Sequence, residues 1–169
     1  MAVNAARRAH PLKIAGLVLG LMIVALLGTA FWLCEALADA QAAADDREAA
    51  MRAAGTHALD LLSVGHKTVD ADIRRILDTS TGEAKAEYAR TVTTLKETTV
   101  KNKVLQTGAL RASGLVSLKG RIAKVMVVGD AVIRWEGSKQ IPQERFYQWN
   151  MEVTKVGTAW LVSKAELVL

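Results

Sequence analysis

From Ile14 to Cys34 the chain reads IAGLVLGLMIVALLGTAFWLC, 21 residues without one charge. As a helix, at 1.5 Å per residue, such a run is about 31 Å long, which matches the roughly 30 Å hydrocarbon core of a bilayer. The first expectation is therefore a membrane anchor, with function lying in what the following residues display. The charges flanking the run are one-sided. Arg7, Arg8 and Lys13 precede it, whereas Glu35, Asp39, Asp45 and Asp46 follow it before the first basic residue, Arg47. That bias keeps the N-terminus in the cytoplasm and places the rest of the chain on the far side of the membrane. Phe31 and Trp32 close the run, where amphipathic rings favour the headgroup layer, and Pro11 stands just before it, where a missing N–H costs least.

Three other readings of the run are weaker. Ala38-Asp39-Ala40 resembles a signal-peptidase site, but the apolar region is too long for a signal peptide and the site lies beyond acidic residues. A lipid-modified Cys34 would need small residues before it, and Phe31-Trp32-Leu33 stand there. A buried globular helix of this length would carry charges. Gly16 and Gly20 form a G-x-x-x-G step that can let a second helix approach closely.

The whole chain carries 22 Lys and Arg against 17 Asp and Glu, but without the three basic residues before the run the balance is only about +2. No basic stripe with interleaved aromatics accompanies it, so nucleic acid is not an expected partner. The single cysteine lies in the span, and the exported part must hold together by its own core. The spacing predicts a cytoplasmic tail over 1–11, a span over 12–34, an alanine-rich helical stalk over 35–50 and one domain over 51–169.

Within the domain, Met51, Ala54, Ala58, Leu61 and Leu62 recur at helical spacing until Gly65, which is the expected stop. Thr68 is the expected N-cap of a second helix with Val69, Ile73, Ile76 and Leu77 facing inward. Ser80-Thr81-Gly82-Glu83 fits a capping box and opens a third helix through Tyr88, Val92, Leu95 and Val100. After Lys103 the texture changes to alternating apolar and polar residues broken by glycine, which predicts four antiparallel strands near 104–118, 121–135, 143–156 and 159–168. Gly108 and Gly114 are the expected bulges or sharp bends of a curved sheet. The fold class expected is α+β, three helices packed on a curved four-stranded antiparallel sheet.

Chemistry-bearing motifs are scarce. His10, His57 and His66 lack the spacing of metal ligands, and no phosphate-cradling glycine loop occurs. Ser63, His66 and Asp70 imitate a nucleophile, base and orienter on paper, but Gly65 breaks the helix that would align them. Asp130, Glu152 and Glu166, the strand carboxylates, read as solvated surface. Trp135, Tyr147 and Trp149, with Trp160, read as core packing; an apolar groove for a lipid is the alternative. No catalytic residue, metal or cofactor is expected.

The order of span, long helix, LLSVGHKTVDADIRRIL, TGEAKAEYAR and a sheet ending in TAWLVSKAELVL resembles the actinobacterial Mce-associated membrane proteins, which accompany Mce lipid transport systems. The resemblance rests on Leu62-Ser63, on Thr68-Val69-Asp70-Ala71-Asp72 with Arg75, on Ser80, on Thr81-Gly82 followed by Tyr88, and on Trp160-Leu161-Val162; the chain departs from the pattern at Gly65 and Ala84. What it implies is a nuclear-transport-factor-2-like cone on a single-pass anchor in the inner (plasma) membrane. That cone would be a non-catalytic accessory or scaffold subunit with Mce-type transporter subunits, the bilayer and a bound lipid as partners. Type IV secretion inner-membrane scaffolds and lipid-binding carriers are similar in plan.

Overall fold

The computed structural model describes the backbone of residues 9–168 and side chains from Ala15 to Val168. The expectations placed on Arg7, Arg8 and the Lys13 side chain lie outside the described residues. The chain divides into two compact units, one up to Ala44 and one over Asp45–Leu169.

The first unit is helical. Helix α1 covers Ala9–Leu62 without a break, through Gly55. Its apolar run, Ala15 onward, is the one helix among the described residues long and apolar enough to cross a membrane. Leu17, Leu21, Leu27, Phe31 and Trp32 are all exposed, and a side chain at Gly16 or Gly20 would meet nothing within 4 Å. A surface apolar all round is what a lipid-facing helix needs.

The second unit begins at Asp45, six residues before the expected start at 51, because Asp46 and Ala50 already contact the domain. Its elements are the last turns of α1, then α2 (Val69–Asp78), α3 (Gly82–Lys101), β1 (Val104–Lys119), β2 (Ile122–Trp135), β3 (Gln143–Val156) and β4 (Ala159–Leu167). The strands form one antiparallel meander in the order β1-β2-β3-β4. Two-residue turns at Gly120-Arg121 and Gly157-Thr158 close the outer hairpins, and the longer loop after Trp135 joins β2 to β3.

Alternation sets the sheet's two faces. Ala123, Val125 and Val127 of β2, Trp149, Met151 and Val153 of β3, and Trp160 and Val162 of β4 are buried on one side. Against them α1 lays Ala50, Ala54, Ala58 and Leu62, one residue every four, a stripe of small side chains that lets the helix approach the sheet closely. A smaller core forms under α2 from Val64, Val69, Ile73 and Ile76, with Tyr88 and Val92 of α3 against it. The outer half of α3 is largely exposed, and Leu95 and Val100 remain in contact with solvent.

The bulges lie elsewhere than expected. Register shifts fall at Arg111 and Val116 in β1 and at Ser163 in β4. Gly108 instead makes room for Leu62: a Cβ there would stand 2.1 Å from the Leu62 Cβ and 3.0 Å from its carbonyl oxygen. Gly129 on the neighbouring strand accommodates the far end of the same leucine, with its Cβ position 2.7 Å from Leu62 Cδ1. A side chain at Gly114 would meet nothing within 4 Å. Curvature thus comes from inserted residues, and the glycine at 108 serves a helix contact.

Candidate functional site

The residues of the longest sequence motif converge at the junction of the three helices. Asp72, buried on α2, is the hub. Its Oδ2 accepts the Gly65 N–H at 2.9 Å and the Thr68 hydroxyl at 2.8 Å, and its Oδ1 accepts Arg75 Nη2 at 2.7 Å. Thr68 therefore stands at the N-cap of α2 without capping it: its side chain is spent on Asp72, while its carbonyl accepts the Ala71 and Asp72 N–H groups. Arg75 continues through Nε to Asp60 Oδ1 at 3.2 Å, tying α2 to α1. The Asp72 carboxylate, and secondarily Asp60, hold the Arg75 guanidinium above its ordinary range.

A second chain of bonds starts at His57, which is fully buried on α1. The Thr79 hydroxyl donates to the Arg75 carbonyl at 2.8 Å, so it accepts from His57 Nδ1, also at 2.8 Å. The other ring nitrogen, Nε2, then accepts from the Tyr88 hydroxyl at 3.1 Å. This assignment makes the imidazole neutral, in keeping with burial, which pushes its pKa down to about 4. Burial likewise pushes the Tyr88 phenol up to about 12. His57, Thr79 and Tyr88 pin α1, the end of α2 and α3 together. Among the described residues no buried side-chain nitrogen or oxygen lacks a partner.

The expected capping box at Ser80 is not formed. Ser80 is buried and its hydroxyl donates back to the Leu77 carbonyl at 3.1 Å, while the N-cap of α3 is Thr81, whose side chain does not cap either. What fixes this linker is the sheet. Thr81 N–H donates to the Val162 carbonyl at 2.8 Å and Val162 N–H to the Thr79 carbonyl at 3.0 Å, so residues 79–81 run as a short parallel bridge along β4. Gly82, the first residue of α3, has a positive φ of 53° and lies against Ser163. Trp160 is buried in the main core, and its indole N–H donates to Asp46 Oδ1 at 3.3 Å, the oxygen that also accepts Lys155 Nζ at 2.5 Å. Lys155 holds the Asp46 carboxyl below the usual range.

Ser63, His66 and Asp70 are not brought together. The Ser63 hydroxyl accepts the Gly108 N–H at 3.4 Å, His66 pairs with Glu136 at 2.7 Å and Asp70 with Lys96 at 2.6 Å. The strand carboxylates are likewise engaged at the surface: Asp130 with Arg111, Glu166 with Lys164, and Glu152 with the hydroxyl of the bulged Ser163. Nor do the three aromatics line one groove. Tyr147 and Trp149 stack at 5.2 Å against the main core, whereas Trp135 lines a separate surface pocket at the far end of β2. No cluster of three or more histidine, cysteine or acidic residues is close enough for a metal among the described residues.

The face of the sheet turned away from the helices is open. Across its middle runs a groove of about 430 Å³ where Lys124, Met126, Asn150, Glu152, Lys164 and Glu166 stand side by side, with Val116 exposed at its margin. Alternation alone identifies Lys124, Met126, Asn150 and Glu152, each the outward neighbour of a buried residue. His57, Asp60 and Thr79 were not legible as a unit, because their contacts join residues 19 and 22 apart across a helix junction. The visible signal was a histidine inside an apolar helical stripe.

Comparison with known proteins agrees with this architecture. The Agrobacterium tumefaciens VirB8 protein superposes with a TM-score of 0.59 at 9% identity, over 73% of this chain and 92% of that one. The periplasmic domain of DotI gives 0.58 at 12% identity, over 69% and 91%. At these identities the likeness shows the fold, a nuclear-transport-factor-2-like, VirB8-type domain. In sequence, the protein Rv1363c of Mycobacterium tuberculosis (strain ATCC 25618 / H37Rv) is 26% identical over 111 residues, 65% of this chain and 42% of that one. The chain thus spans about two fifths of the length of the curated relative it matches. The family model described as "Uncharacterized protein Rv1363c/MT1408-like" matches residues 11–169, nearly the whole chain, and the protein belongs to that family.

Proposed function

We propose that this protein is a non-catalytic, membrane-anchored scaffold, held in the plasma membrane by α1 with its N-terminus in the cytoplasm, that presents its α+β domain outside the membrane to protein partners. The observation that carries the reading is the continuity of α1: the helix that begins as a span-length apolar run ends as the core helix of a domain whose inner face is filled by side chains. Leu62 occupies the space that Gly108 and Gly129 leave, and the inner face of the sheet is packed with side chains, which supports a filled interior over a carrier's open one. The family-motif residues are spent on joining helices, which supports a structural use for them.

The partner proposed is an Mce-type lipid transport complex, supported by the resemblance of the motif residues to Mce-associated membrane proteins. A secretion-apparatus scaffold is the second reading, favoured by the fold shared with the VirB8 and DotI structures. Mild-detergent affinity purification of the tagged full-length chain from its own host, with mass spectrometry of what accompanies it, decides between them. Mce subunits with their permease or ATPase support the first reading, secretion components the second. A free monomer under gentle extraction refutes both.

A further inference from the structure

At the end of the sheet where β1 begins and β2 ends, three backbone segments are laced together. His66 N–H donates to the Val104 carbonyl at 2.8 Å, Gln106 N–H to the Val64 carbonyl at 2.9 Å and Glu136 N–H to the Lys103 carbonyl at 3.0 Å. These bonds hold open a pocket of about 450 Å³. Its lining includes the apolar Leu105 and Trp135 and the polar or charged His66, Lys67, Arg134 and Glu136. The volume is within the range of about 300–1,000 Å³ typical of small-molecule sites.

These charges are not equivalent. Glu136 is doubly engaged, with Lys67 Nζ at 2.6 Å on one oxygen and His66 Nε2 at 2.7 Å on the other. Lys67, and then His66, hold its carboxyl below the usual range. The Arg134 guanidinium, in contrast, makes no hydrogen bond or ion pair among the described residues. A cationic ligand would have to displace Lys67 or His66 and then sit beside this spare positive charge. A neutral apolar ligand would use Trp135 and leave Arg134 in water. An anionic head satisfies both, because a guanidinium offers a planar pair of donors that fits a carboxylate or phosphate in two-point contact.

We propose that this pocket binds a small amphiphile with an anionic head, the head on Arg134 and the chain across Trp135 and Leu105. The inference is independent of what the protein assembles with. Its ligand could be a water-soluble acid or an anionic lipid, which share this chemistry.

The test uses the full-length chain in neutral detergent micelles, with ¹⁵N-labelled indoles and octanoate as the probe. The expected result is a saturable shift of the Trp135 indole N–H, assigned by its loss in Trp135→Phe, while the Trp149 and Trp160 signals stay in place and report an intact core. Octanamide, of equal length and no charge, should bind at least tenfold more weakly, and Arg134→Gln should weaken octanoate by at least tenfold. Displacement of octanoate by phosphatidylglycerol added to the micelles would assign the lipid source; saturable octanoate binding that the lipid does not displace would assign a soluble acid. The proposal is overturned if the Trp135 signal does not saturate, if octanamide binds as well as octanoate, or if Arg134→Gln leaves binding unchanged.

Discussion

Gly108→Ala tests whether α1 and β1 meet as closely as the structure has them. The added Cβ would lie 2.1 Å from the Leu62 Cβ and 3.0 Å from the Leu62 carbonyl oxygen. Neither neighbour is the free end of a side chain, so no rotamer change relieves the contact. Restoring an ordinary separation of 3.4 Å opens the seam by about 1.3 Å, at the point where the fully buried Leu62 ends the stripe of Ala50, Ala54 and Ala58. Overpacking of this kind costs about 1–3 kcal/mol, and the alanine returns only about 0.4–1 kcal/mol by restricting the unfolded chain. The expected net loss is about 1 kcal/mol. Urea unfolding of the full chain in neutral detergent, followed by near-ultraviolet dichroism of the buried Trp149 and Trp160, measures it. Leu62→Ala alone should cost about 2–5 kcal/mol through the cavity it leaves. Because that change keeps the Cβ and the carbonyl that the new side chain meets, Leu62→Ala should not rescue Gly108→Ala. Gly129→Ala should behave differently, since its first obstacle is Leu62 Cδ1 at 2.7 Å, which Leu62→Ala removes; that pair should show favourable coupling even though the Ala109 carbonyl stays 2.9 Å away. A Gly108→Ala protein as stable as the parent, or one rescued by Leu62→Ala, refutes the close seam.

Three further outcomes follow from the same geometry. The unfolded chain protonates His57 near pH 6.5, whereas the folded chain resists until about pH 4, so stability from this group is intact above pH 6.5 and falls by about 3 kcal/mol as the pH drops to 4; unfolding at stepped pH should show this slope, and His57→Gln should flatten it. Asp72→Ala leaves the Gly65 N–H, the Thr68 hydroxyl and Arg75 without their shared acceptor and should cost about 3 kcal/mol in the same unfolding assay. Val24→Lys places a charge in the middle of the apolar run, at an insertion cost of about 3 kcal/mol, and should shift the protein from the carbonate-resistant membrane fraction toward the extractable one.

The sheet was legible because its information is local. Period-two alternation in β2 and β3, bounded by Gly120 and Gly157, places the strand ends within a residue or two of those observed. The helix junctions were less so, because there a residue's preference and its use diverge. Thr68 and Ser80 have the chemistry of N-caps, but other acceptors nearby take their hydroxyls: the Asp72 carboxylate one turn on for Thr68, and the Leu77 carbonyl of the preceding helix for Ser80, which leaves Thr81 at the N-cap of α3. Gly108 reads as a bulge by the same logic, since nothing in β1 shows that Leu62, 46 positions earlier, needs its missing side chain. Trp135 and Trp149 are both strand tryptophans with different fates. Trp149 stands mid-strand under α1, while Trp135 stands at a strand end beyond the helices' cover.

The motif residues that carry the family resemblance are consumed inside the domain. Asp72, Arg75, Thr81 and Tyr88 bond to one another, to α1 or to β4, Ser80 bonds back to α2, and a residue held this way reports the fold it maintains. Such a motif can therefore be shared by proteins that serve different complexes, which is why a VirB8-type fold at 9% identity and a family match over nearly the whole chain leave the partner as a separate question. Under the scaffold reading proposed above, partner choice would be encoded where the motif does not reach, on the open face of the sheet, where Lys124, Glu152, Lys164 and Glu166 surround Met126 and Asn150. Apolar contact centred among charges of both signs is the arrangement by which an interface gains specificity as well as area, because a wrong partner leaves those charges unpaired. Substitutions that invert charge on that face, such as Lys124→Glu with Lys164→Glu, should then abolish co-purification of partners while leaving unfolding unchanged, whereas changes at the motif should do the reverse and weaken the fold first.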